Sequence, residues 1–307
     1  MRRTIGEFAT FLVVVLLLAL YWAFGWKAAP CPEHPFLAGL QAILSIVVSA
    51  WVLHIISDRI MGGTGLVAPF AYLVLATADP VSLYAFPLHA AATLISFSIY
   101  FYLNYCTHHP TIGQMAGAAV ALGGAGLFFP PALWLFPVFL ATSIGMADNK
   151  IKTVIAAMLG LVFPLAVTLG ILSLTSDTDP VFYLHSLWLD MTDIVRPVLP
   201  NRATTLCRIF LTAVAAILAI IRMVARLNTY RTAHFRGAIR LLYLTLSIGI
   251  LGILFLSDDC PAGLITMLPV ALLLDDLLGH PDHRKGTLTL LITLILVLVA
   301  ERISYFV

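Results

Sequence analysis

The chain predicts an all-α, polytopic transmembrane bundle, and three observations carry that reading. Of its 307 residues, 61% are hydrophobic and 10% charged, with a mean hydropathy of +1.01. Soluble domains carry about 25% charged residues. The apolar residues form about eleven stretches, and Lys and Arg gather in alternate connections between them. With 17 Lys+Arg and 15 Asp+Glu, a body of 33.3 kDa has too few charges to be covered by water. A soluble globular enzyme, a disordered tail and a nucleic-acid binder are excluded on those grounds.

A spanning helix needs roughly 20 mostly apolar residues to cross a hydrocarbon core of about 30 Å. Candidates run at about 8–26, 36–57, 65–78, 83–104, 115–129, 132–147, 153–174, 206–225, 239–257, 262–274 and 287–305. The expected count is therefore about eleven, or nine to eleven if short stretches fail to cross. They are read as helices because lipid offers no partner to an open backbone amide, and the ten-residue alternation of a barrel is missing. The first has a basic start but poor cleavage chemistry around Trp26-Lys27, so it reads as a retained helix, not a signal peptide. The third holds Pro69 and ends at Asp79-Pro80. The fifth and sixth form one unit, loosened by Gly123, Gly124 and Gly126 and broken at Pro130-Pro131. Short or broken helices of this kind either line a cavity or use small residues for close packing, as in Gly113-x-x-x-Gly117.

With Met1-Arg2-Arg3 placed in the cytoplasm, eleven spans put twelve Lys and Arg inside and five outside. That bias is the positive-inside pattern of a bacterial inner-membrane protein. The inside set includes Arg59, Lys150 and Lys152 and the loop arginines Arg222, Arg226, Arg231, Arg236 and Arg240; these five loop charges would also hold anionic lipid headgroups. The whole chain, 1–307, reads as one integral membrane domain. Its longest outer loop is 175–205, in which 181–195 reads as an amphipathic interfacial helix. Ser186, Asp190 and Asp193 share its polar stripe, and Pro197 and Pro200 end it. Cys31 and Cys260 both fall outside, where a disulfide and two separate thiols are equally open readings. No Cys-x-x-Cys occurs.

Ionisable groups at bilayer depth are site candidates by default. His89, just after Pro87 in the fourth stretch, is the strongest of these. Asp79 caps the third stretch. His185 on the interfacial helix, with Arg196 and Arg202 behind it, could face a phosphate, since arginine holds phosphate bidentately. Asp79 or His185 would then be the base for a hydroxyl acceptor. Asp275-Asp276 reads as the end of the tenth stretch. The loop His280-Pro-Asp-His283 has suitable residue types for a metal but no distant ligands, so no metal and no cofactor is expected. A P-loop, His-Glu-x-x-His and Gly-x-Ser-x-Gly are all missing.

Three activities fit these residues. One is handling of a polyprenyl- or lipid-linked glycan at the outer face; the alternatives are a small-solute transporter or channel, and a non-catalytic subunit of a membrane complex. Membrane lipids, a lipid-linked sugar and other membrane subunits are the corresponding partners, and no nucleic acid is among them.

Three stretches also resemble an uncharacterised family of multi-pass bacterial inner-membrane proteins, a domain of unknown function. They are Gly126-Leu-Phe-Phe-Pro-Pro-Ala-Leu-Trp134 with Asn149-Lys-Ile-Lys152 and Met158-Leu-Gly-Leu-Val-Phe-Pro164, the Arg-rich hairpin Arg231 to Arg240, and Thr266-Met-Leu-Pro-Val-Ala-Leu-Leu-Leu274. The resemblance covers about residues 93–174 and 222–276. It implies a fold and brings no site residues.

Overall fold

The computed structural model describes residues 18–19, 22, 35–61, 67–77, 83–107, 110–145, 149–175, 179–192, 203–227, 232–254 and 263–278. Among these the chain is helical throughout, with no strand. Ten α-helices follow in order: α1 Pro35–Ile55, α2 Val67–Ala76, α3 Phe86–Thr107, α4 Ile112–Phe128, α5 Leu135–Ile144, α6 Lys150–Thr175, α7 Pro180–Thr192, α8 Ala203–Arg226, α9 Thr232–Leu254 and α10 Gly263–Leu278. A π-helical segment, Ile56–Met61, extends α1, and a 3₁₀ turn, Pro130–Trp134, joins α4 to α5. The expected stretch 8–26, apart from residues 18, 19 and 22, lies outside the described residues, as do 287–305, Cys31, Cys260 and His280–His283.

Local chemistry accounts for several boundaries. Thr111 and Gln114 close a capping box at the start of α4: Gln114 N donates to Thr111 Oγ1 at 3.3 Å and Thr111 N to Gln114 Oε1 at 3.2 Å. Pro130-Pro131 ends α4, because proline has no amide to continue the ladder. Phe129 N still reaches Ala125 O at 2.8 Å before the chain tightens into the 3₁₀ turn. At the head of α7, Asp179 Oδ1 accepts from Val181 N at 2.9 Å and Pro180 takes the first helical position. The amphipathic helix expected over 181–195 therefore starts one residue earlier and is helical to Thr192; residues 193–200 are outside the described set.

Small residues set the closest helix crossing. A Cβ on Gly123 of α4 would stand 2.4 Å from Leu161 O of α6, and one on Gly160 of α6 would stand 2.7 Å from Ala116 O of α4. The two backbones touch at both points, which only glycine allows. α3 is the hub of the remaining packing, and its Ile95, Ile99, Tyr102 and Leu103 are fully buried. It lies against α4, where Ser98 Oγ donates to Ala118 O at 2.7 Å. Against α5, Tyr102 stacks on Phe139 with centroids 4.4 Å apart.

Among the described residues, four helices are long and apolar enough to cross a membrane: Phe36–Met61, Phe86–Thr107, Lys150–Thr175 and Phe235–Leu254. Five shorter apolar helices accompany them, Val67–Ala76, Ile112–Phe128, Pro130–Ile144, Ile209–Ala225 and Leu264–Asp275. α6 turns only Thr153, Ala157 and Gly160 inward, leaving Ile151, Leu159, Phe163 and Leu174 on the outside of the bundle. Apolar side chains exposed along a whole helix are what a lipid environment accommodates.

The glycine contact is open to direct test. Gly123→Ala is expected to lower stability in detergent by about 1–3 kcal/mol through overpacking against Leu161. Gly145→Ala, with nothing within 4 Å of its Cβ position, should change it by less than about 0.5 kcal/mol. Equal melting temperatures for the two variants would contradict the crossing.

Candidate functional site

A polar contact buried in the bundle joins residues 218 positions apart. Ser57 Oγ donates to Asp275 Oδ2. Ser57 is fully buried and Asp275 is 2% exposed. Ser57 stands on the π-helical segment, where the wider i→i+5 ladder displaces side chains from their α-helical positions. Such bulges occur often at functional sites. Asp275 is one turn short of the end of α10. The sequence reads Asp275-Asp276 as the end of the tenth stretch; the helix instead runs on to Leu278, and the Asp275 carboxylate is buried in the bundle, where it meets the serine. A buried carboxylate persists only with hydrogen-bond partners, and the hydroxyl is one of them.

The same end of the bundle collects other polar groups. Tyr102 Oη, near the end of α3, bonds to Thr142 Oγ1 of α5. The Arg240 guanidinium of α9 lies beside Cys106 and Tyr102. Thr107 Cγ2 would be 2.9 Å from a Cβ on Gly237, and Met61 Sδ 3.6 Å from it, so α3, α9 and the π-segment converge here. Arg59, Lys150, Lys152 and Arg236 are exposed, and Arg222 is half-buried.

A second polar seam joins α1, α2 and α3. Thr93 Oγ1 is 3.0 Å from His89 O and 3.1 Å from both Ser45 O and Ser49 Oγ, while Ser49 Oγ is 2.9 Å from Ser45 O. With one proton per hydroxyl, the two side chains share these acceptors. The fully buried Tyr72 hydroxyl of α2 approaches Ser49 without a well-aligned bond.

His89 is buried, at 1% exposure, in the first turn of α3. It is about 27 Å of helix from Thr107 at the other end of α3, so α3 does not bring it to the Ser57–Asp275 pair. His185 is exposed on α7, which turns only Leu187 inward and docks through Trp134 Nε1 donating to Met191 O at 3.2 Å. Asp79, Arg196 and Arg202 lie outside the described residues. Among the described residues no group of three or more His, Cys, Asp or Glu could hold a metal ion. The site that sequence reasoning missed is Ser57–Asp275. Its one available signal was a serine at the buried end of an apolar stretch, and nothing in the sequence couples that serine to an acid 218 residues away.

No family model, curated protein or solved structure matches the chain.

The pair should behave as one unit in a double-mutant cycle. Asp275→Ala and Ser57→Ala are each expected to cost about 1–3 kcal/mol, because each leaves a buried polar partner short of a bond. The double variant should cost less than their sum by at least about 0.5 kcal/mol. Strict additivity in detergent unfolding would show that the two groups do not interact.

Proposed function

We propose that the chain is a multi-pass inner-membrane protein that passes a small polar solute or cation through its helix bundle, with the Ser57–Asp275 pair as the group it must negotiate. The buried acid carries this reading. Acids at membrane depth are costly and cluster on solute, ion and proton paths. Short helices α2 and α5, the 3₁₀ break between α4 and α5, and the π-segment after α1 support it. Interrupted helices at membrane depth are where transport proteins bind their cargo.

The four long helices and five shorter apolar ones would give nine crossings, and the stretches 8–26 and 287–305 would raise the count to eleven. In this reading the end bearing Arg59, Lys150, Lys152, Arg222, Arg236 and Arg240 is cytoplasmic, which puts the Ser57–Asp275 pair near the cytoplasmic side. α7 then lies at the outer interface with Phe182, Leu184 and Trp188 toward lipid.

Proteoliposomes carrying an internal pH-sensitive or cation-sensitive dye test the proposal. Wild-type protein should produce a solute- or gradient-dependent signal, and Asp275→Asn, similar in shape but unable to ionise, should reduce it at least about tenfold. A flat wild-type response across cations, protons and small solutes, or an Asp275→Asn response equal to wild type, would contradict the transport reading.

A second reading has its own observation, the exposed His185 on a helix with an apolar outer face. It is action on a lipid-linked, polyprenyl-phosphate glycan at the outer face, with Arg196 and Arg202 holding phosphate, Asp79 or His185 as base, and His89 behind them. Arg196→Ala with Arg202→Ala should then abolish surface glycan assembly at unchanged protein level. Intact glycan would remove that reading and leave the first untouched.

A further inference from the structure

Arg240 is a half-buried cation among neutral groups. It stands in the third turn of α9, where α9 meets α3 and α5. The Cys106 thiol and the Tyr102 phenol, the latter bonded to Thr142, lie near its guanidinium. No carboxylate of the described residues pairs with it. A thiol is a weak acceptor, so much of the guanidinium's five-donor fork is left for something else. Arg236 lies one turn earlier on α9, exposed, and four residues' spacing puts both arginines on one face of the helix.

The surroundings narrow the choice of anion. α3, α5 and α9 all carry buried apolar residues from this junction toward the middle of the bundle, Ile99 and Ile95 on α3, Phe139 and Phe136 on α5, and Leu244 and Ile248 on α9. The flanking Arg59, Lys150 and Lys152 are exposed and draw negative charge to the same end. Basic niches between transmembrane helices on the cytoplasmic side suit lipid headgroups, and a guanidinium matches the two free oxygens of a phosphodiester.

We propose that the junction of α3, α5 and α9 binds the phosphodiester headgroup of an anionic phospholipid, with Arg240 at its floor and Arg236 at its mouth. The headgroup neutralises Arg240, and the acyl chains lie along the outward apolar surface of α9, where Tyr243, Leu246 and Ile250 are exposed. Tyr102 and Thr142, bonded to each other, hold α3 and α5 together behind the guanidinium. The site is separate from Ser57–Asp275 and stands whether or not the protein is a transporter.

The test uses the full chain in neutral detergent, titrated with phosphatidylglycerol, with phosphatidylcholine, and with inorganic phosphate at equal concentration. Retained lipid is read by native mass spectrometry and stability by melting temperature. Wild type should retain phosphatidylglycerol selectively and melt higher with it. Arg240→Gln should weaken that binding about tenfold or more and Arg236→Gln several-fold, as expected for losing charge-assisted bonds. Arg240→Lys should recover part of it, and Ser173→Ala, near the opposite end of α6 from Lys150, should match wild type. If Arg240→Gln does not fold, Arg240→Lys and Arg236→Gln decide: wild-type affinity in both overturns the site. Equal retention of phosphatidylcholine overturns it as well, and so does a stabilisation fully reproduced by inorganic phosphate, which would make this a soluble-anion site.

Discussion

A carboxylate cannot rest in an apolar bundle without hydrogen bonds, and the position of Asp275 follows from that constraint. Stranding an ion in low dielectric costs several kcal/mol even after relaxation, so the fold must deliver a donor to it. The donor comes from Ser57, and the π-segment places that hydroxyl against α10. The segment ends at Met61, whose sulfur lies toward Gly237 on α9. One polar contact thus fixes the relative positions of the first and last described helices and leaves its mark on a third.

The same rule orders the other polar groups. Most hydroxyls in the bundle bond back to their own helix, Thr77 to Leu73, Thr107 to Leu103, Thr168 to Pro164 and Thr245 to Leu241. Those groups are satisfied locally and demand nothing of a neighbour. A few bridge helices: Ser49 with Thr93, Ser98 with Ala118, Tyr102 with Thr142, and Ser57 with Asp275. Three of these four bridges involve α3, which explains why a helix with so many hydroxyls and tyrosines sits at the centre. Where hydroxyls are lacking, as between α4 and α6, glycines let the backbones pack instead. The outward face of α6 is mainly apolar, with Ile155, Leu159, Val162, Phe163 and Ile171 exposed along it.

Much of this was legible in the residues. Composition dictated helices, because no other backbone arrangement suits so apolar a chain. Pro130-Pro131, Asp179-Pro180 and the Thr111–Gln114 pair punctuate the chain where the helices break or begin. His89 was readable as a buried ionisable group, since it follows Pro87 into an apolar stretch. The Ser57–Asp275 pair was not readable. Two adjacent acids just before Leu277-Leu278-Gly279 read as the end of an apolar stretch, and only tertiary packing turns the first of them inward. The π-segment leaves no periodic signature, because it shifts one turn of hydrogen bonds without altering the apolar pattern. Asp79, Arg196 and Arg202 belong to connections, where periodicity says nothing about placement.

The contact between Ser57 and Asp275 holds the basic end together, and disulfide trapping in native membranes tests it most directly. In a chain with its four native cysteines replaced, Ser57→Cys combined with Asp275→Cys should oxidise to an intramolecular cross-link. It should do so as readily as a Gly252→Cys and Thr266→Cys pair at the α9–α10 contact. Efficient cross-linking of the reference pair with none between positions 57 and 275 would show that the carboxylate does not meet the serine, and the arrangement of the basic end described above would be wrong.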